Sequence, residues 1–290
     1  NIFIIYCPSN VFDICESSRM TPISCFTAGV ESMTRVPMGG FTPSPNPTLL
    51  QAFPEVYMAM GHTAEEVARR YEVSREDQDA LAVLSHSKAA KAREEGLLAD
   101  EIVPVNTPDG VVSEDGCIRP GTNMDALAGL KPAFGGVVTA GTSSPLTDGS
   151  AAVLVCTEDF ARRHNLPMLA RIKAIAVGGC APEIMGMGPV EATRKVLARG
   201  GLTINDVDLM EINEAFSSQS LACLRELGMP LERVNLDGGA LALGHPLGAT
   251  GARITGKAAA LLKRTGGRYA VATQCIAGGQ GVATLLESVE

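Results

Sequence analysis

The sequence predicts an α/β protein in which a mixed sheet is covered by helices. After Ser150, short apolar stretches alternate with segments that carry helix start and stop residues, so strands and helices are expected in turn. Apolar residues make up 46% of the chain and charged residues 19%, which is typical of a globular protein. The length of 290 residues is enough for one large domain or two ordinary ones.

The part after Ser150 gives the clearest elements. We predict strands at 151–156, 169–177, 207–212, 269–274 and 281–286. Helices are predicted at 189–200, 214–227 and 247–265. Pro189 suits the first turn of its helix, and Gly228 and Gly266 suit the ends of the other two.

The part before Ser150 is less regular. Two strand-like pieces, 2–6 and 23–30, have no clear helix between them. Loops rich in Pro, Gly and Met then surround two helices, one with a capping box at Thr63 and Glu66 and one from Ser74 to Gly96. We interpret the second helix as a surface helix with one apolar stripe and 106–133 as loop. Residues 36–136 are therefore predicted to be an insertion or lid.

Composition excludes several classes of function. The net charge of −8 and the absence of Trp argue against general nucleic-acid binding. No apolar run approaches the roughly 20 residues of a membrane span, and we reject a secretory signal at the start. The eight cysteines form no CxxC pair and lie at no metal-ligand spacing, so we expect reduced thiols, no metal and a cytoplasmic protein.

Three polar residues stand out because each lies at a predicted strand or helix end. His245 lies between glycines just before a helix, whereas His62, His86 and His164 fit surface or cap positions. Cys275 ends a strand and precedes a glycine-rich turn, which suits thiolate activation or oxyanion binding. Asn213 follows another strand. The alternatives are a tight turn with an incidental His, a buried inert Cys and an Asn that caps a helix.

These ends would meet in one crevice beyond the sheet, where open α/β folds place ligands. Cys with His and no metal spacing favours acyl transfer through a thiol, with His as the base or orienting group. The residues alone predict no function more specific than this.

At these motifs the chain resembles the thiolases. The similarity runs from Ala28-Gly29-Val30-Glu31-Ser32-Met33 to the C-terminus and includes Asn213-Glu214-Ala215-Phe216, Gly239 to Gly251 and Cys275 to Gly281. The resemblance implies a thiolase-like fold and thiolysis of a 3-ketoacyl-CoA by coenzyme A, or the reverse Claisen condensation, through a cysteine acyl-enzyme. It implies no cofactor, since coenzyme A is a co-substrate, and it implies a homodimer or homotetramer.

The resemblance also implies residue roles. His245 would activate the nucleophile and help an oxyanion hole, Asn213 would hold a water there, and Cys275 would be the second, acid/base cysteine. The backbone N–H of Ala277 would form another oxyanion site, at a position where the family usually has Gly. The remaining implied positions contact CoA or the acyl group: Phe134, Ser144, Phe216, Met60 and Met185. Ala59 before Met60, where acetoacetyl-CoA-specific members tend to have His, favours a broader 3-ketoacyl-CoA thiolase.

The front of the chain departs from the family pattern. We expect 1–35 and 137–166 to be the remnant of a mostly absent N-terminal thiolase half, 36–136 the inserted loop domain that covers CoA, and 167–290 the C-terminal half. Cys7, in Cys7-Pro8-Ser9, is the candidate nucleophile, and the alternative is that no nucleophile is present. The second hypothesis for function is a catalytically incomplete thiolase-like protein or fragment that binds acyl-CoA or lipid.

Overall fold

A seven-stranded mixed sheet forms the centre of the protein. The structure is a computed structural model that describes residues 2–5 and 24–289. Its strands are, in chain order, β1 (Ile2–Ile5), β2 (Ser24–Ser32), β3 (Val105–Thr107), β4 (Gly110–Val112), β5 (Asp148–Thr157), β6 (Met168–Gly179), β7 (Leu209–Ile212), β8 (Tyr269–Ile276) and β9 (Gln280–Ser288). The order across the large sheet is β2-β5-β1-β6-β9-β8-β7, and β3 pairs with β4 in a separate small sheet.

Neighbouring strands in the large sheet are antiparallel except β7 and β8, which are parallel. The strand β1 lies between β5 and β6 and pairs with both. Because β7 and β8 run the same way, their carboxyl ends meet at one edge of the sheet. That edge carries Asn213 and Cys275.

Helices cover both faces of the sheet. They are, in chain order, α1 (Pro47–Ala52), α2 (Met60–Arg70), α3 (Arg75–Glu94), α4 (Met124–Ala128), α5 (Glu158–Arg163), α6 (Gly188–Gly200), α7 (Ser217–Leu227), α8 (Ala240–Leu243) and α9 (Leu247–Thr265). The helix α9 packs on one face, and α6 and α7 pack on the other. The helices α2 and α3 pack against α7 and α8, away from the sheet. No helix in the described ranges is long and apolar enough to cross a membrane.

Small side chains let α9 approach the sheet closely. Ala258 and Ala259 of α9 and Ala270 and Ala272 of β8 lie in the same core cluster and are almost fully buried. Large residues fill the remaining space of that cluster, including Leu209, Leu261, Leu262 and Leu286, each at most 1% exposed. Each such leucine contributes roughly 1.5–3 kcal/mol to folding by its burial. This packing fixes the height of α9, and therefore of its N-terminus, above the sheet.

Several predicted elements are confirmed. The helix α9 has the predicted limits, and Gly266 ends it with a φ of 71°. The side chain of Ser74 caps α3 by accepting a hydrogen bond from the backbone N–H of Asp77 at 3.0 Å. The mixed sheet covered by helices is also observed.

Other expectations are wrong. The helix α2 begins at Met60, so Thr63 lies inside it and donates its hydroxyl to the Met60 carbonyl instead of capping. The helix α3 is largely buried, and its His86 is only 7% exposed, with Nδ1 accepting from the Arg119 N–H. Within 106–133, read as loop, the chain forms β4 and α4 as well as most of β3.

Candidate active site

His245 lies in the turn that leads into α9, and hydrogen bonds hold it at two points. Its backbone N–H donates to Thr147 Oγ1 at 3.1 Å, and its ring Nδ1 lies 2.7 Å from Thr250 Oγ1. Gly244, with a φ of 90°, brings the chain so close to Thr147 that a Cβ there would lie 2.5 Å from Oγ1. The turn therefore fixes the ring with Nδ1 occupied, and Nε2 is the nitrogen left for a substrate.

Electrostatics keep the His245 ring neutral. Burial, with a smaller contribution from the positive charge of Arg253, lowers its pKa to about 4. The charged form is disfavoured because desolvation penalises an imidazolium and a nearby guanidinium repels it. At neutral pH the ring can therefore accept a proton.

Cys275 is the second-last residue of β8 and pairs in register with Gly281 of β9. Its side chain is half-buried. Burial raises the pKa of the thiol to about 12, so the resting group is a thiol. A protonated sulfur is suited to donating a proton to a carbanion.

The turn after β8 carries the backbone N–H expected to bind an oxyanion. Ala277 is exposed, and the positive φ angles of this turn are those of Gly278 and Gly279, at 83° and 93°. Ala277 is not among the described non-glycine residues with positive φ. Alanine therefore fits this position without backbone strain, and its N–H is as usable as that of a glycine.

Asn213 follows β7 and is fully buried. Its backbone N–H donates to the Thr273 carbonyl at 3.0 Å, which ties it to β8 two residues before Cys275. Neither Oδ1 nor Nδ2 of its side chain has a partner in the described part of the chain. Asn213 is not the N-cap residue of α7, because Phe216 occupies that position. An unpaired buried amide is costly, so the site is built for a water or a ligand atom.

A second group of residues lies beside Asn213. The Ser144 N–H donates to the Ala215 carbonyl at 2.9 Å, and Ser143 forms a β-bridge with Phe216. The Phe134 ring packs edge-on against the ring of Phe216, with 6.1 Å between centroids. Phe134, Ser144 and Phe216 are therefore contiguous and adjoin the segment that begins with Asn213.

The two predicted pocket methionines lie on packed elements. Met60 begins α2 and is half-buried, while Met185 is 6% exposed in the 3-10 turn Pro182–Met187 that packs on α2. Two thiols border the same turn. Cys180 Sγ lies 3.6 Å from the Ile184 carbonyl, and Cys223 Sγ lies 3.2 Å from the Gly186 carbonyl. The wall of this region is apolar and rich in sulfur.

Sequence reasoning missed the residues that support the site. Glu214 is buried and accepts from Ser85 Oγ and Asn235 Nδ2, each at 2.7 Å, and from the Leu241 N–H at 3.2 Å. It thereby joins α3 and α8 to the segment that carries Asn213. The candidate nucleophile Cys7 lies outside the described residues.

Comparison with known proteins matches both halves of one family. Residues 23–159 match the family model described as "Thiolase, N-terminal domain", and residues 166–288 match "Thiolase, C-terminal domain". The chain belongs to the thiolase family. It is therefore an enzyme of the thiolase class, an acyltransferase.

Named relatives agree with this assignment. The chain is 46% identical over 301 residues to "3-ketoacyl-CoA thiolase" of Bacillus subtilis (strain 168), covering 97% of this chain and 77% of the relative. It is 46% identical over 288 residues to "Beta-ketoadipyl-CoA thiolase" of Escherichia coli, covering 90% of this chain and 71% of that one.

A solved structure shares the fold. Human mitochondrial 3-ketoacyl-CoA thiolase in complex with CoA superposes with a TM-score of 0.83 at 38% identity, covering 92% of this chain and 71% of that one. Within the described residues, no group of three or more His, Cys, Asp or Glu side chains is placed to hold a metal ion.

Proposed function

We propose that this thiolase cleaves a 3-ketoacyl-CoA with CoA and catalyses the reverse condensation, with CoA as co-substrate and no other cofactor. The observation that carries the proposal is that Asn213 and Cys275 lie at the carboxyl ends of the adjacent parallel strands β7 and β8. The helix α9, which follows His245, approaches the same end of β8, because a Cβ on Gly251 would lie 3.4 Å from Gln274 Nε2. A base, an acid and an oxyanion group are the parts that thiolysis needs. The 3-ketoacyl-CoA substrate class is supported by the names of the relatives.

The roles follow from the protonation states. The Nε2 atom of His245 takes the proton of the attacking thiol, and the resulting thiolate attacks the 3-keto carbonyl. The oxyanion is stabilised by the Nε2–H of His245 and by a water held on Asn213. The Cα–Cβ bond then breaks, the enolate of acetyl-CoA takes the proton of Cys275, and the Ala277 N–H stabilises the enolate oxygen. In the second half-reaction the Cys275 thiolate takes the proton of CoA, and the CoA thiolate attacks the carbonyl of the acyl-enzyme. The bond between the acyl carbon and the enzyme sulfur then breaks, and that sulfur takes back its proton from His245.

The remaining residues hold the substrate. In this proposal Phe134, Phe216 and Ser144 contact CoA, and Met60 and Met185 line the acyl pocket. The contiguity of the first three and the packing of α2 on the turn of Met185 support it. The proposed division assigns 36–136 to a loop domain that covers CoA, 1–35 and 137–166 to an N-terminal half, and 167–290 to a C-terminal half.

We also propose that the protein is cytoplasmic and forms a homodimer or homotetramer. The free state of all six cysteines in the described ranges supports a reducing compartment. Size-exclusion chromatography with light scattering tests the assembly, and a monomer at micromolar concentration would contradict it.

The experiment that tests the function is intact-mass analysis before and after addition of acetyl-CoA, followed by peptide mapping. We expect an acetyl adduct on Cys7, which is lost in Cys7→Ser and strongly reduced in His245→Ala. The matched control is Cys25→Ser. Because Cys25 is an exposed cysteine on β2, its replacement should leave the acetyl adduct on Cys7 unchanged. Binding of acetyl-CoA without an adduct on any cysteine would overturn the proposal in favour of a non-catalytic binding protein.

A further inference from the structure

Two threonines from different parts of the chain hold His245, and they hold different atoms. Thr147, just before β5, accepts the backbone N–H, while Thr250, in the first turns of α9, contacts ring atom Nδ1 at 2.7 Å. Thr250 is fully buried and its Oγ1 is also 3.4 Å from the Pro246 carbonyl. The backbone contact fixes the position of the His245 main chain, and the Nδ1 contact fixes the rotation of the imidazole ring.

We propose that Thr250 is a positioning residue for His245, whose hydroxyl holds Nδ1 so that Nε2 is the nitrogen presented to the reacting sulfur and acyl oxygen. This rests on the role proposed for His245. Without the hydroxyl, rotation about the Cβ–Cγ bond of His245 would exchange the two sides of the ring.

A hydroxyl suits this task because it can donate or accept. When Nδ1 carries the proton, Thr250 Oγ1 accepts from it and can donate to the Pro246 carbonyl. When Nε2 takes the proton of the thiol, the ring becomes an imidazolium, in which Nδ1 keeps its proton and still donates to Thr250 Oγ1. The contact therefore persists while Nε2 gains and loses a proton during acyl transfer. A carboxylate here would only accept, and its charge would favour an imidazolium.

The test compares Thr250→Val, Thr250→Ser and a control, Thr255→Val, which makes the same change further along α9. Each protein is labelled with ¹⁵N-histidine, and the ring signals of His245 are identified by their loss in His245→Ala. Thr250→Val should shift the Nδ1 signal and change the tautomer ratio. Thr250→Ser and Thr255→Val should keep the wild-type signals. A Thr250→Val spectrum identical to that of the wild type would overturn the proposal.

Kinetics give a second readout. Thr250→Val should lower kcat for thiolysis on the order of 10- to 100-fold, with little change in the KM for CoA, because the ring is misplaced but the CoA site is intact. Thr250→Ser should restore kcat, and failure of serine to do so would contradict the role. If the wild type shows no thiolysis, the proposed function fails, and the spectra alone decide on Thr250. If Thr250→Val does not fold, the wild-type and Thr250→Ser spectra decide, since both must show a hydrogen-bonded Nδ1.

Discussion

Burial moves the pKa values of the two central residues in opposite directions. It lowers the pKa of His245 to about 4 and raises that of Cys275 to about 12, because both groups lose less by desolvation in their neutral forms. Both are therefore uncharged over the whole physiological range. The site therefore holds a proton acceptor and a proton donor without a resting ion pair, and the two residues become charged only while protons move during the reaction.

The low pKa of His245 predicts how the rate of thiolysis depends on pH on the acid side. The neutral base is fully present well above pH 4 and is lost only as the pH falls through about 4. The kcat/KM for thiolysis should therefore show no acid limb centred at the ordinary histidine pKa of about 6.5. The measurement is kcat/KM from about pH 5 to about pH 8, the range in which an unperturbed histidine titrates. A half-maximal value near the ordinary pKa would contradict the burial of the ring.

Glu211 predicts a pH-dependent stability. It lies on β7, is 1% exposed, and both its carboxyl oxygens lack a partner among the described residues. Burial raises its pKa to about 8, so the folded state binds its proton more tightly than the unfolded state does. The stability from this protonation is complete below the unfolded pKa and is lost as the pH rises through about 8. Glu211→Gln should therefore raise the melting temperature relative to wild type increasingly as the pH rises. Exposed Glu232→Gln should show no such trend.

At the scale of elements, the edge strand β2 supports the first turn of α9. Glu31 Oε1 accepts from the Gly248 N–H at 2.9 Å, placing a carboxylate at the helix N-terminus. Gly29 lies so close that a Cβ there would be 2.0 Å from the Gly248 carbonyl oxygen. The motif that contains Gly29 and Glu31 thus sets the position of the turn that carries His245.

This close approach predicts the effect of Gly29→Ala. The added methyl group meets backbone, which cannot move aside as a side chain can, so β2 and α9 must separate. We expect a loss of roughly 1–3 kcal/mol in the free energy of unfolding, together with lower thiolysis activity. Gly39→Ala is the control, since its nearest heavy atom would be a proline side chain carbon at 3.8 Å. Urea unfolding of both variants gives the comparison, and equal stabilities would contradict the steric argument.

The same elements show what local sequence can and cannot predict. The limits of α9 were predictable because Pro246 directly precedes the helix and Gly266 directly follows it, and both residue types are common at helix ends. Thr63 was a false start signal, since the backbone already turns helical after Ala59 and tertiary packing of α2 decides its first residue. Asn213, His245 and Cys275 were visible as motif residues. Thr147 was not, because its bond to His245 joins residues far apart in the sequence.

At the scale of the whole molecule, one buried ion cluster joins the inserted helical section to the sheet face. Lys257 Nζ, on α9, lies 2.8 Å from Glu101 Oε1 and 2.7 Å from Asp237 Oδ2. Arg264 also pairs with Asp237. The side chains of Lys257 and Asp237 are 4% and 3% exposed. A lysine on a sheet-packed helix has no local signature of such pairing, so this junction could not be predicted from sequence.

Lys257→Ala should therefore destabilise the protein and loosen this junction. It leaves Asp237 buried with Arg264 as its remaining partner, and removal of one member of a buried pair costs about 3–5 kcal/mol when no partner remains. Because Arg264 stays paired with Asp237, we expect a smaller loss, on the order of 2 kcal/mol. Lys263→Ala, later in α9 and exposed, should change stability by less than about 0.5 kcal/mol.

Limited proteolysis separates a local effect from a global one. If the cluster holds the section around Glu101 to α9, Lys257→Ala should be cut faster between residues 97 and 119 under conditions in which the rest of the chain stays intact. Cleavage spread evenly along the chain would instead show that Lys257 stabilises the core alone. Because that section packs beside the turn of His245 through α3 and α8, a local loosening should also raise the KM for CoA while Lys263→Ala leaves it unchanged.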